Sequence, residues 1–269
     1  MFRNTGLLIS LLFIAVTGTG QQSFEAGLFG GGSYYLGDLN PVKHFLQTDF
    51  AYGAMLRYNH TDRWAVKASV YRGKIKADDA VTKANTLRQL SFESNLTDIS
   101  TVVEFNFFEY VTGSTRDRIT PYIFAGVSFF MFNPQADGVD LRGAGTEGQN
   151  VGYDGRKPYN TFGFAFPFGF GFKYSLNERL GLSFEWGLRK TFTDYLDDVS
   201  KTYYLSGESI DRNNPAEVLS DPTFNHQPGM ERGDPQTKDW YNFTGISITY
   251  KFNLFRNYRC NDFGTRRKY

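Results

Sequence analysis

The sequence is poor in the residues that hold many small secreted domains and metal sites together. Its 269 residues include a single cysteine, Cys260, and three histidines, His44, His60 and His226, which are far apart in the chain. One cysteine cannot form an intramolecular disulfide, and the histidines do not have the spacing of metal ligands. We therefore predict no disulfide framework, no metal site and no cofactor.

Net charge and long apolar runs are also scarce. A formal net charge of +1 gives no electrostatic reason to expect a nucleic-acid partner. Beyond residue 20 no segment has the ~20 consecutive apolar residues of a membrane-spanning helix. The sequence also does not bring the histidines close to a serine nucleophile. We therefore expect a protein that is not an enzyme, and a lipid hydrolase acting at a barrel rim remains a third-ranked hypothesis.

The first twenty residues have the layout of a secretory signal peptide. Arg3 gives a positive start, residues 7–16 (LLISLLFIAV) form a short apolar run, and residues 17–20 are small or polar. Such a run is too short to span a bilayer as a helix. We predict that residues 1–20 direct secretion and are then removed.

Aromatic residues are abundant, and residues 161–174 (TFGFAFPFGFGFKY) carry one at every second position. Side chains alternate between the two faces of a β-strand, so this segment predicts one aromatic face and one face of small residues. Strands of soluble proteins usually have ~5–6 residues, whereas a transmembrane barrel strand needs ~9–11. The pattern favours a barrel strand over the alternative, a long strand of a soluble β-sandwich.

Eight segments alternate in this way, at about residues 24–36, 50–59, 63–73, 90–110, 119–132, 161–174, 180–192 and 240–254. Short connections at 59–62, 111–118 and 175–179 alternate with long ones at 37–49, 74–89, 133–160 and 193–239. Outer-membrane barrels have this alternation of periplasmic turns and extracellular loops. Residues 21–255 are therefore predicted to form an all-β, eight-stranded antiparallel transmembrane barrel in the outer membrane of a Gram-negative cell, with both termini periplasmic.

The predicted strand faces sort charged from apolar side chains. The lumenal charges are Glu25, Arg57, Lys67, Glu104, Lys173, Glu185, Arg189 and Lys251. The predicted lipid-facing residues are Phe162, Phe164, Phe166, Phe168, Phe170, Phe172, Leu182, Phe184, Trp186 and Leu188. An ion path or catalytic carboxylates are one interpretation of the charges. We favour ion pairs that fill the lumen, because an eight-stranded barrel is narrow and buried charges must be paired.

Two further charged regions lie outside the predicted strands. Asp194, Asp197 and Asp198 form the run TDYLDD, and clustered carboxylates can bind hard cations. Their spacing is not that of a calcium loop, so we expect a solvated loop or one that contacts a partner. Residues 256–269 form a basic tail, predicted to be periplasmic. Candidate periplasmic partner contacts are Asn59, Asp62, Arg116, Asp117, Arg118, Glu178, Arg179, Arg256, Arg259, Arg266 and Arg267.

Four stretches resemble the PorG-like family of Bacteroidota outer-membrane proteins, which belongs to the type IX secretion system. They are residues 25–41 (EAGLFGGGSYYLGDLNP), 52–67 (YGAMLRYNHTDRWAVK), 120–134 (TPYIFAGVSFFMFNP) and 166–199 (FPFGFGFKYSLNERLGLSFEWGLRKTFTDYLDDV). The runs GDLNP and RKTFTDYLDD are the most particular. Because the family offers no catalytic residue to carry over, the catalytic set stays empty.

The resemblance implies a non-enzymatic structural subunit of the type IX secretion and gliding machinery. Its partners would be outer-membrane lipid, a periplasmic ring of the PorK and PorN type, and other outer-membrane subunits of the system. The alternative is a stand-alone small barrel of the OmpA or OmpW type, serving adhesion, envelope integrity or small hydrophobic solutes. A fold alone does not choose between these functions.

Overall fold

The computed structural model describes residues 23–252, so the predicted signal segment and the basic tail with Cys260 lie outside the described residues. The strands are β1 Ser23–Leu36, β2 Asp49–Asn59, β3 Trp64–Asp78, β4 Ser91–Asn106, β5 Ile119–Ala136, β6 Val139–Asp140, β7 Phe162–Ser175, β8 Leu180–Thr191 and β9 Trp240–Phe252. Eight of them are long, and β6 is a two-residue strand that pairs with the end of β5.

The eight long strands form a closed antiparallel barrel. Neighbours along the chain pair with each other, and β9 pairs with β1 to close the ring. The stagger of the barrel can be read by following paired residues around the ring. Starting at Gly30 in β1 and passing through β2, β3, β4 and β5, the pairing reaches Phe162 in β7. In the other direction, through β9 and β8, they lead to Phe172. This offset of ten residues within β7 is the stagger that tilted strands need in order to close. The predicted fold class is confirmed.

In the part of the chain that the structure describes, helical structure is confined to the connections between strands. The helices are α1 Asp79–Thr82, α2 Leu141–Ala144 and α3 Pro215–Ser220, and there are 3-10 turns at Tyr153–Gly155 and Gly207–Ser209. Within residues 23–252, no helix has both the length and the apolar character needed to cross a membrane.

The two faces of β7 explain its sequence. Phe162, Phe164, Phe166, Phe170 and Phe172 point outward and are 43–66 % exposed. A lipid-facing wall is the environment in which such a row is stable. The inward positions are small because large side chains from other strands fill the lumen. At Gly171, for example, a Cβ atom would lie 2.7 Å from the ring of Tyr122.

Two strands run further than the alternation predicts, and one ends earlier. β3 continues to Asp78 and β5 to Ala136, whereas β4 ends at Asn106. Beyond Val70 the outward residues of β3 are charged or polar, so the apolar alternation stops there. The inward Ile75 and Ala77 remain buried in the core, and the ladder with β4 continues. We call the end with the four long connections the loop end and the opposite end the turn end.

Candidate functional site

The turn-end half of the lumen contains a network of ion pairs centred on Arg57 and Glu104. Arg57 lies between two carboxylates, with Nη1 2.8 Å from Glu25 Oε2 and Nε 2.8 Å from Glu104 Oε2. Lys173 Nζ lies 2.6 Å from the same Glu104 oxygen. Lys67 lies 3.6 Å from Glu104 Oε1. Glu104 therefore meets three cations.

The network continues through a second carboxylate, Glu185. Lys67 forms a short ion pair with Glu185, and Arg189 Nη2 lies 3.9 Å from Glu185 Oε1. The structure thus joins seven of the eight predicted lumenal charges. Lys251 is separate, because its Nζ donates to the carbonyl oxygen of Thr112 at 2.7 Å. The seven side chains are at most 5 % exposed, so each charge depends on its partners.

Two polar residues that were not predicted to be lumenal, Thr112 and Asn59, complete this network. Thr112 Oγ1, from the turn between β4 and β5, donates to Glu25 Oε1 at 2.7 Å. The Asn59 amide donates to Ser23 and Glu25 at 3.2 and 2.9 Å. Asn59 is therefore buried inside the barrel, and its prediction as an exposed partner contact is wrong. It is the last residue of β2, and strand alternation turns it inward with Arg57.

Aromatic residues fill the lumen above the charges. Phe29 and Tyr71 stack with ring centroids 4.3 Å apart, and both rings contact Phe243. The Arg189 guanidinium lies 5.0 Å from the Phe243 ring and links the aromatic layer to the charged one. Asp98, a lumenal carboxylate absent from the predicted set, accepts a hydrogen bond of 2.7 Å from the Tyr241 hydroxyl.

A cap of loop residues covers the aromatic layer at the loop end. The Tyr35 hydroxyl donates to Asp197 Oδ2 at 2.5 Å and lies 2.8 Å from Asp239 Oδ1. Asp239 Oδ2 accepts from the backbone N–H of Leu196 at 2.9 Å. Leu196 and Val199 are buried in the same hydrophobic cluster as the lumenal aromatic residues. The loop between β8 and β9 is thus held across the barrel mouth.

The two most particular sequence runs meet in this cap. Asn40, from GDLNP, donates to the carbonyl oxygen of Tyr35 at 2.9 Å, and Tyr35 in turn bonds Asp197 from TDYLDD. The Tyr159 hydroxyl donates to Asp198 Oδ1 at 2.7 Å. Ser200 donates to Asp194 at 2.7 Å. The residues of both runs therefore have a structural role, which is to form the hydrogen bonds that hold the cap together.

The aspartates of TDYLDD are buried rather than solvated. Asp194, Asp197 and Asp198 are 3, 1 and 0 % exposed, so the expectation of a solvated loop is wrong. Short-range hydrogen bonds to backbone and hydroxyl groups replace water around them. Among the described residues, no three histidine, cysteine or acidic side chains are grouped so as to hold a metal ion.

Burial makes these carboxyl groups retain protons. It raises the pKa of Asp194 to about 7, and those of Asp38 and Asp198 to about 6. The pKa values of Asp197 and Asp239 are raised well above the ordinary range, by burial and by nearby carboxylates. Burial outweighs the attraction of Arg232, 3.9 Å from Asp198, and of Lys238, 4.0 Å from Asp194, so the protonated form is favoured. These five carboxyl groups are therefore partly or wholly neutral near pH 6.

The remaining predicted residues that the structure describes lie on the outer wall or at the turn end of the barrel. Trp186, Leu188, Leu182 and Phe168 are half-buried on the outer wall, and Phe184 is exposed there. At the turn end, Arg116 and Glu178 are exposed, while Asp62 and Asp117 are half-buried. Arg118 lies over the Tyr174 ring at 5.3 Å, and Arg179 Nη1 is 3.0 Å from the Tyr250 hydroxyl. Arg256, Arg259, Arg266 and Arg267 lie outside the described residues.

Several solved barrels are similar to this chain. The attachment invasion locus protein Ail of Yersinia pestis has 6 % identity and a TM-score of 0.43, covering 86 % of this chain and 99 % of Ail. Neisserial surface protein A (NspA), from Neisseria, has 10 % identity and a TM-score of 0.45, with coverage of 86 and 99 %. Outer membrane protein OprG of Pseudomonas aeruginosa has 12 % identity and a TM-score of 0.38, with coverage of 87 and 98 %.

Sequence comparison gives a family. No curated protein matches the chain. The family described as "Domain of unknown function (DUF6089)" matches residues 4–206, which include the first seven long strands and the TDYLDD run. Since this match extends over well more than half of the sequence, the chain belongs to the DUF6089 family.

Proposed function

We propose that the protein is a stand-alone outer-membrane barrel, non-enzymatic and non-conducting, that works through its surface in adhesion or envelope integrity. The observation that carries this proposal is the double filling of the lumen. Paired charges occupy the turn-end half, and buried aromatic side chains occupy the loop-end half. Such a lumen offers no space to a solute, so the proposed function lies in the cap and the outer wall.

The cap suits a binding role because it is rigid and large. Hydrogen bonds fix its loops to one another and to β1, as the bonds from Tyr159 to Asp198 and from Tyr35 to Asp197 illustrate. A preordered surface loses little conformational entropy when it binds. In this proposal the cap faces the outside of the cell and the turn end faces the periplasm.

The test combines orientation with conductance. In a Cys260→Ser background, we expect Lys157→Cys, exposed in the loop between β5 and β7, to react with a membrane-impermeant maleimide on intact cells. Glu178→Cys, exposed at the turn end, should react only after lysis. Purified protein in planar bilayers should give no conductance steps. Steady conductance, or labelling of the turn end on intact cells, would contradict the proposal.

A second candidate function is a structural subunit of the type IX secretion system. The sequence resemblance and one feature of the outer wall support it. An apolar groove of about 650 Å³ runs along the outer wall where Ala26, Ala54 and Ala68 replace large side chains. Small residues let a neighbouring membrane protein approach closely. This candidate predicts that the tagged protein brings a periplasmic ring, of the PorK and PorN type, out of detergent-solubilised membranes.

The groove allows a matched pair of variants to separate the two candidates. Ala54→Phe fills the groove, whereas Ala125→Phe adds the same ring to the outward face of β5. Loss of co-purifying subunits in the first variant alone would support the secretion subunit. Recovery of the barrel without partners from both variants and from the unaltered protein would favour the stand-alone barrel.

A further inference from the structure

A cleft of about 720 Å³ lies on the outside of the barrel at the loop end. Outward side chains of Leu36, Leu188 and Trp240 line one wall. The other wall is formed by parts of residues 37–44, 84–88 and 231–238. We call this feature the rim cleft. It is separate from the filled lumen, and its size is within the range of ~300–1,000 Å³ that small-molecule sites occupy.

The strand register places the rim cleft at the edge of the apolar band. Trp240 pairs with Leu36 on one side and with Lys190 on the other. The exposed Lys190 has its Nζ 5.5 Å from the centre of the Trp240 ring. Tryptophan and lysine are typical of the boundary between hydrocarbon and headgroups. Towards the turn end, the outward residues of β8 are the apolar Leu188, Trp186 and Phe184.

The charges around the rim cleft do not favour a strongly anionic ligand. Its lining contains three basic side chains, Arg88, Arg232 and Lys238, and three acidic ones, Asp38, Glu231 and Asp234. The two guanidinium groups are already engaged. Arg88 makes a two-point ion pair with Asp79 and donates to two carbonyl oxygens. Arg232 is held by Glu147 and by the carbonyl oxygen of Asp198.

Uncharged polar groups and an aromatic ring make up the rest of the lining. The Thr237 hydroxyl donates to Asp234 and Asn85 Oδ1 accepts from the Leu87 N–H, which leaves the Thr237 oxygen as an acceptor and the Asn85 amide N–H groups as donors for a ligand. Asn85, His44 and Thr237 line the cleft beside Trp240. Amide, imidazole and hydroxyl groups next to an indole ring match the hydroxyl groups and the apolar ring face of a sugar. Leu188 lies two residues further toward the turn end than Lys190, which pairs with Trp240, and an acyl chain would pass along it.

We propose that the rim cleft binds a glycolipid of the outer leaflet, with its uncharged sugar among Asn85, Thr237 and Trp240 and an acyl chain along Leu188. This inference rests on the outer-membrane placement proposed above. The proposed binding site is therefore distinct from the filled lumen and from the cap. Because the basic and acidic side chains of the lining balance, we expect a galactolipid to be preferred to an anionic phospholipid with the same chains.

The test is native mass spectrometry of the full chain in detergent, with monogalactosyl diacylglycerol and phosphatidylglycerol as probes. We expect one retained galactolipid per chain, bound about tenfold more tightly than phosphatidylglycerol. Ala84→Trp should fill the cleft and abolish retention. Ala80→Trp, exposed on α1 and not part of the lining, should retain the lipid.

A heat-dependent shift in gel mobility identifies folded barrel for each variant. If Ala84→Trp did not fold, Asn85→Trp would fill the cleft from the next residue. Equal retention of the two lipids, or retention by the filled variant, would overturn the inference. Displacement of the lipid by methyl galactoside alone would also overturn the inference, because it would show that the cleft recognises a free sugar and not a lipid of the outer leaflet. Cell fractionation separates the two proposals, because a chain absent from the outer membrane would refute the placement itself.

Discussion

The hydroxyl of Tyr35 donates a 2.5 Å hydrogen bond to Asp197, a residue 162 positions further along the chain. The same hydroxyl lies 2.8 Å from Asp239. One phenol at the end of β1 thus contacts carboxyl groups at both the start and the end of the longest loop. This contact ties the loop to the first strand of the barrel.

Replacing Tyr35 by Phe should loosen the cap without unfolding the barrel. The variant leaves two buried carboxyl groups without a shared donor, which costs about 1–3 kcal/mol. We expect faster hydrogen exchange in residues 193–239 and unchanged heat modifiability. Tyr52→Phe, on the exposed outer face of β2, is the control and should exchange like the unaltered protein. Unchanged exchange in Tyr35→Phe would show that other contacts hold the loop.

Glu104 should matter most in the charged layer. Glu104→Gln removes a charge that faces Arg57, Lys173 and Lys67 in a fully buried site. Arg57 and Lys67 keep Glu25 and Glu185, but Lys173 loses its carboxylate partner. Leaving a buried cation unpaired costs about 3–5 kcal/mol, so urea should unfold this variant at a lower concentration. Glu109→Gln provides the matched control.

The control isolates burial as the cause. Glu109 is 60 % exposed, and its carboxylate lies 3.9 Å from Arg63. Exposed pairs contribute little, so its free energy of unfolding should stay within about 0.5 kcal/mol of the unaltered protein. Equal urea midpoints for the two variants would mean that the lumenal network does not stabilise the barrel.

Strand structure was predictable from the sequence because alternation is a local property. The inward direction of Glu104 and the outward direction of Phe164 follow from their immediate neighbours. The cap was not predictable in this way. Its contacts join residues such as Tyr35 and Asp197, and nothing near either residue in the sequence indicates the other. The run TDYLDD looks like a solvated segment for the same reason.

The end of β3 shows that hydrophobic alternation does not always predict where a strand ends. Arg72 and Lys74 replace the outward apolar residues, so hydrophobic alternation ends although the strand continues. The inward Ile75 and Ala77 keep the strand in the core, but two apolar residues among charged ones are a weak signal. The rim cleft is equally hard to predict, because its walls come from three loops and three strands that are far apart in the sequence.

The cap should become less stable as pH rises. The pKa of Asp194 is about 7 in the folded cap and ~3.9 in an unfolded chain. The folded state therefore binds the proton more tightly, and the stability this adds is full below pH 4 and is lost as pH rises through 7. After correction for intrinsic rates, hydrogen exchange in residues 194–200 should be slower at pH 5 than at pH 8.

Asp194→Asn should reduce this pH dependence, because the amide does not titrate. The buried Asp197, Asp198 and Asp239 remain, so part of the dependence should persist. Asp211→Asn, exposed in the same loop, should leave the slope unchanged. A slope that was the same in Asp194→Asn and the unaltered protein would show that Asp194 is not a source of the effect.

Gly171 should not tolerate a larger residue, because the inner face of β7 has no space for a side chain at this position. A Cβ atom there would lie 2.2 Å from the carbonyl oxygen of Phe184 and 2.7 Å from the Tyr122 ring. The ring belongs to a fully buried side chain, and the carbonyl belongs to the neighbouring strand, so neither can move aside cheaply. We expect Gly171→Val to lose most of the heat-modifiable folded form.

Gly30→Val makes the same substitution on the outer face of β1, where nothing lies within 4 Å of the added atom, and should fold normally. If both variants folded equally well, tight lumenal packing would not be what requires small residues along the inner face of β7.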